Sequence, residues 1–192
     1  MSREYSALPL APLAIAARLQ EDAPLSRVTL DDPAFAVMTD LREVVPATIG
    51  PERTLDHAHA MMLERRVRLL FVQDAERALE GVITATDLLG EKPMRFVQER
   101  GGRRSDILVG DIMTPFARLE AISMQDVAQM RVGHIVATLK EVGRQHLIAS
   151  EDGGRRVRGI FSATRIARQL GVDLATTEVA QTFAEIEAAL SR

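Results

Sequence analysis

The sequence predicts a mixed α/β (α+β) protein: two βαββα units packed about a pseudo-two-fold axis, preceded by an N-terminal arm and followed by a C-terminal amphipathic helix. Three observations carry this expectation. The chain contains an internal repeat, its apolar residues switch between strand and helix periods in the same order in both copies, and each copy has a sheet face that nothing within the copy covers. The boundaries are an arm at 1–35, a first unit at 36–101, a second at 102–171 and a terminal helix at 172–192.

The repeat shows when Gly81 is laid on Gly159. GVITATD then falls on GIFSATR, with Thr84 on Ser162 and Asp87 on Arg165. Upstream the match runs on without a gap, RLLFVQD over HLIASED, which sets Arg68 on His146. Further back VMTD at 37–40 faces IMTP at 112–115, so the second copy is about three residues longer near its first helix.

Each element has its own signal. In the arm, MSREYSALPLAPLAIAARLQ holds a short apolar run, but Glu4 offsets Arg3 and prolines interrupt it; it is expected to pack on the domain rather than act as a secretory signal. Each unit opens on a short apolar stretch, PATIG or LEAIS. In PERTLDHAHAMMLERR, Leu55, Ala58, Met61 and Met62 recur at helical spacing and form one buried stripe. RLLFVQD and LEGVIT, separated by the polar AERA, read as a hairpin. A last helix starts at Thr84, and its equivalent at Ser162. A small sheet with helices on one face leaves the other face apolar, and the second copy is the obvious cover, with clefts along the seam. EKPMRFVQERGGRRSDILVGD reads as a helix followed by an exposed loop. At the end, Val179, Phe183, Ile186 and Leu190 stripe a helix that docks either on its own chain or on a partner.

Composition excludes several classes. With 46% hydrophobic and 27% charged residues the 192-residue chain is no disordered tail. A net charge of -3 argues against nucleic acid as a partner. Two basic clusters, Arg65, Arg66 and Arg68 and then Arg155, Arg156 and Arg158, are either solvated faces or sites for an anionic small molecule. No cysteine means no disulfide, thiolate nucleophile or cysteine zinc site. No stretch reaches the roughly 18 to 20 apolar residues of a membrane span, and a cytoplasmic location is expected. His57 and His59 are two apart on a helix and point to different faces, so no metal site is expected from them. There is no nucleophile elbow, Walker loop or dinucleotide fingerprint. No enzymatic activity and no catalytic residue are expected.

The chemistry concentrates at the strand-to-helix junction. Thr84-x-x-Asp87 at a helix start suits a capping box, in which hydroxyl and carboxylate satisfy free backbone donors. Found in a repeated setting it also suits an anionic ligand: helix N-termini attract phosphate, and an ionised carboxylate accepts hydrogen bonds from hydroxyl donors. Each such charge-assisted bond contributes about 1.5–3 kcal/mol, against about 0.3–1 kcal/mol for the helix dipole.

Two βαββα units, each ending Gly, two apolar residues, Ser or Thr, resemble a tandem CBS-domain pair, the Bateman module. The matching residues are Gly81, Val82, Ile83, Thr84 and Asp87, then Gly159, Ile160, Phe161 and Ser162, with Met113 to Pro115 as the family's usual lead-in. The resemblance covers roughly 36–171. It implies a regulatory module that binds an adenosine-containing ligand between the repeats and signals to a separate effector protein, and it implies a homodimer. The family's roles place phosphate at Thr84 and ribose at Asp87, with Thr48, Ile49 and Leu70 beside the base; Arg68 and His146, at the strand entrances, are candidates to reach a phosphate. No cofactor is required. AMP, ADP, ATP, S-adenosylmethionine, a cyclic dinucleotide and a dinucleotide cofactor share the adenosine that the motif would read. The alternative is a ligand-independent dimeric scaffold.

Arg165 departs from the family's pattern. A cation in a helix's first turn opposes the dipole, and it cannot accept from ribose. The second cleft, with Ser162 and Arg165, is therefore either silent or phosphate-reading.

Overall fold

The computed structural model describes residues 26–172, 183–186 and 188. Val179 and Leu190 of the expected terminal helix, and residues 1–25 of the arm, lie outside the described residues.

The elements follow in the expected order. After β1 (Met38–Asp40) come β2 (Thr48–Ile49), α1 (Leu55–Arg65), β3 (Leu69–Gln73), β4 (Leu79–Thr84) and α2 (Ala85–Leu89). The bridge forms α3 (Lys92–Arg100) and α4 (Val109–Ile112). Then β5 (Thr114–Pro115), β6 (Ala121–Ser123), α5 (Met124–Val127), α6 (Val132–Glu141), β7 (His146–Glu151), β8 (Arg156–Ser162) and α7 (Ala163–Gln169) complete the second unit. α1 starts where Thr54 Oγ1 accepts from the His57 N–H at 3.3 Å, and ends where Arg66 turns left-handed with φ 54°. The extra length of the second copy is α5, inserted between β6 and α6.

Two four-stranded sheets form among the described residues, in the orders β2-β3-β4-β5 and β1-β8-β7-β6. The first strand of each copy therefore lies in the sheet of the other. β5 runs antiparallel to β4, with Gly81 opposite Pro115, and β1 runs antiparallel to β8, with Asp40 opposite Gly159. The exchange accounts for the motif glycines. A Cβ on Gly81 would fall on the Thr114 carbonyl oxygen, and one on Gly159 would meet the Met38 side chain. Arg158, 3% exposed, ties β1 to its adopted sheet by pairing with Asp40, and it reaches Glu151 Oε2 at 3.4 Å.

Strand alternation divides each sheet between two surroundings. Leu70, Val72 and Ile83 face the helices and join the first core with Leu55, Ala58, Met62 and Leu88. Leu69, Phe71 and Val82 face the other sheet, where they meet Ile148 at the seam. In the second unit Leu147, Ala149 and Phe161 face the helices, with Ile135, Leu139 and Ile166. Phe183 and Ile186 are buried in that same core, so the terminal segment docks on its own chain there. The described part of the arm also packs on this unit: the Val28 N–H donates to the Gln169 carbonyl at 2.9 Å.

One feature of the repeat differs from the gapless match. Val72 pairs with Gly81 but Ala149 pairs with Gly159, so the β7 equivalent of Leu69 is His146 and that of Arg68 is Gln145. The backbone agrees, since the Ala85 N–H donates to the Arg68 carbonyl and the Ala163 N–H to that of Gln145, both at 2.9 Å. The second hairpin is one residue longer, which the letters alone hide.

Candidate functional site

The seam between the sheets opens at one end into a cleft of about 200 Å³. Thr84, Thr86 and Asp87 form one wall at the junction of β4 and α2, and Leu69 and Val82 supply its apolar floor. The second unit contributes Leu119, Glu120, Arg144, His146 and Ile148, and β5 adds Thr114. The exchange of β5 into the first sheet thus builds one cleft from both repeats.

Thr84 and Asp87 form the capping box. Asp87 Oδ2 accepts from the Thr84 N–H at 2.8 Å and from its hydroxyl at 2.7 Å, while Thr84 Oγ1 accepts from the Asp87 N–H at 3.3 Å. Asp87 Oδ1 is held by Lys92 Nζ at 2.6 Å, and Lys92 also donates to the Ile112 carbonyl at 3.4 Å. Asp87 is 8% exposed, a carboxylate anchored at the cleft wall by a hydroxyl and an ammonium. Lys92 was missed by sequence reasoning, although it carried a signal: it opens α3, where a cation opposes the dipole.

His146 reaches the cleft because it faces the seam, as Leu69 does. Its Nδ1 is buried with no hydrogen-bond partner. Burial, and then the Arg68 charge, push its pKa down to about 4, against the opposing pull of Asp87, so the ring is neutral near pH 7. Across the mouth, Arg144 pairs with Glu120 at 3.0 Å.

The remaining sequence candidates stand elsewhere. Leu70 and Ile49 are buried in the first core on the helix side of the sheet. Thr48 lines a different cavity of about 610 Å³, with Phe71, Leu79, Phe116 and Val157, at the other end of the seam. The apolar side chains that do meet Asp87's cleft are Leu69, Val82, Leu119 and Ile148. Sequence reasoning missed the last two because it sought the base pocket within the repeat that carries Asp87. Arg68, Ser162 and Arg165 are not part of this cleft. Ser162 precedes α7 without capping it, and Arg165 Nη1 donates to Thr39 Oγ1 at 3.3 Å. Of the second basic cluster, Arg158 is the buried clamp on β1, Arg156 pairs with Asp152 at 3.3 Å, and Arg155 lines the larger cavity. Among the described residues no group of three or more His, Asp or Glu stands ready to hold a metal ion, and no helix is long and apolar enough to cross a membrane.

Comparison with known proteins agrees with this architecture. The family model described as CBS domain matches residues 34–93. No curated protein matches the sequence. Among solved structures, the chain is similar to an uncharacterized conserved protein from Pyrococcus horikoshii, at 22% identity and a TM-score of 0.56, over 78% of this chain and 100% of that one. It is similar to a CBS-domain containing protein from Agrobacterium tumefaciens, at 18% identity and a TM-score of 0.52, over 67% of this chain and 88% of that one. A conserved CBS domain protein of unknown function from Thermoplasma acidophilum is 16% identical with a TM-score of 0.51, over 78% of this chain and 77% of that one. Residues 34–93 match the CBS-domain model, and the whole chain, with two sheets built from two copies of one unit, shares the fold of these CBS-domain structures.

Proposed function

We propose that this protein is a regulatory module that binds an adenosine-containing ligand, such as an adenine nucleotide or S-adenosylmethionine, in the cleft at Asp87. The observation that carries the reading is the buried Asp87 carboxylate at the wall of an apolar, two-repeat cleft. The ribose hydroxyls replace Lys92 and the Thr84 hydroxyl as donors to Asp87, and the base lies between Leu69, Val82, Leu119 and Ile148. Thr84, released from Asp87, turns its hydroxyl to the phosphate. Because Lys92 opens α3, seating a ribose frees the start of the bridge helix, which gives ligand occupancy a route to a separate effector protein. Leu63, Leu89 and Met94, at least 60% exposed on α1, α2 and α3, provide the apolar surface for a homodimer.

Isothermal titration of the ligand-stripped chain with adenosine, AMP, ADP, ATP and S-adenosylmethionine tests this. One compound is expected to bind saturably, with Asp87→Ala weakening it at least about 30-fold, since two charge-assisted hydrogen bonds are lost. No binding by any of them, or equal binding by Asp87→Ala, would leave Thr84 and Asp87 as a helix cap and the chain as a dimeric scaffold.

A further inference from the structure

The cavity of about 610 Å³ lies at the hairpin-tip end of the seam, away from Asp87, where the pseudo-two-fold brings equivalent residues of the two repeats together. Leu79 and Val157 are equivalents, paired with Gln73 and Ser150 on the two hairpins, and both line it. Leu41 and Phe116 are equivalents too, each following the strand that crosses into the other repeat's sheet. Phe71 on β3 completes this apolar wall. The volume falls within the roughly 300–1,000 Å³ of small-molecule sites.

The same symmetry sets two cations on the cavity. Arg77 and Arg155 stand two residues before Leu79 and Val157, and both line it. Neither has a carboxylate partner among the described residues. Asp152 is taken by Arg156 at 3.3 Å, Glu151 Oε2 lies 3.4 Å from Arg158 Nε, and Asp74 Oδ1 accepts from the Ala78 N–H at 2.7 Å. Turn geometry does not account for Arg77 either: its φ is 67°, a left-handed value for which the second hairpin uses Gly153 and Gly154. Phe116 is 57% exposed, an aromatic ring left open beside these charges. Two guanidinium groups from different repeats, set over an apolar wall, suit a ligand with an anionic head and an apolar body. Their planar donors fit a carboxylate, and burial of the body against the wall supplies the rest of the affinity.

We propose that this cavity binds an organic acid with an apolar body, an aliphatic chain or an aromatic ring. Arg77 and Arg155 hold the carboxylate, and the body lies against Phe71, Leu79, Phe116 and Val157. The site goes beyond the nucleoside reading of Asp87 and does not depend on it.

Titration calorimetry of the full chain with octanoate and with 2-naphthoate, beside 1-octanol and acetate, tests the site. One saturable site per chain is expected for at least one of the two acids. Octanol, which lacks the charge, is expected to bind at least about tenfold more weakly than octanoate, and acetate, which lacks the body, not to saturate. Arg77→Gln and Arg155→Gln are each expected to weaken the acid about ten- to a hundredfold, one charge-assisted hydrogen bond apiece. Both side chains are exposed, so the variants keep the fold, and should one fail the other carries the comparison. The tighter of the two acids tells a chain from a ring. No saturable binding of either acid, or affinities unchanged in both glutamine variants, would overturn the proposal. The acids have no ribose, so the nucleoside reading fails alone if adenosine compounds do not bind while an acid does, and this proposal fails alone in the reverse case.

Discussion

A neutral imidazole at a seam position gives His146 a measurable pH signature. Its pKa is depressed in the folded chain, to about 4, whereas in the unfolded chain it titrates near 6.5. Between those values the unfolded state binds more protons, so stability rises with pH through the window and is lost as pH falls from about 6.5 toward 4. Wild type is expected to lose on the order of 2 kcal/mol more than His146→Gln between pH 7 and pH 4.5 in urea unfolding. Parallel losses in the two proteins would place the ring in a solvated setting instead. Thr84 and Asp87 were legible at this scale because a capping box is a local arrangement, four residues long. The pairing of Asp87 with Lys92 was not, because it depends on how α3 packs back against α2 and α4.

The exchanged strands explain the repeated glycine at the level of the element. At Gly81 the obstacle to a side chain is backbone, the Thr114 carbonyl oxygen; at Gly159 it is the flexible end of Met38. Gly81→Ala is therefore expected to destabilise the chain by about 1–3 kcal/mol, as overpacking against an unyielding neighbour does, and Gly159→Ala by clearly less. Chemical denaturation of both variants decides it, and equal losses would contradict the close approach of β5 to β4. The strands, hairpins and helices themselves were legible from periodicity, since Leu70 and Val72 alternate with Leu69 and Phe71 whatever covers them. Which sheet β1 and β5 join was not, because VMTD and IMTP carry the same letters for either partner.

Across the whole molecule, strand exchange makes the two repeats one folding unit. A fragment spanning 36–101 lacks β5 and the Ile148 side of the seam, and its own β1 belongs to a sheet it does not contain. We expect that fragment to be unfolded by circular dichroism, and the full chain to lose β3 and β7 amide protection at one urea concentration. A folded fragment, or two separate transitions, would show that the copies are independent. The two-copy architecture, the apolar faces and the Thr84–Asp87 junction were written in local spacing and in the likeness of one half to the other, both of which survive in a linear string. The composition of each cleft was decided by tertiary packing. Adding one residue to the second hairpin moves His146, not Arg68's counterpart, onto the seam. Crossing β5 into the first sheet brings Leu119 and Ile148 beside Asp87, while Leu70 turns inward to the helices. Contacts between residues far apart in sequence depend on register and strand order, and neither is encoded in the period of either strand alone.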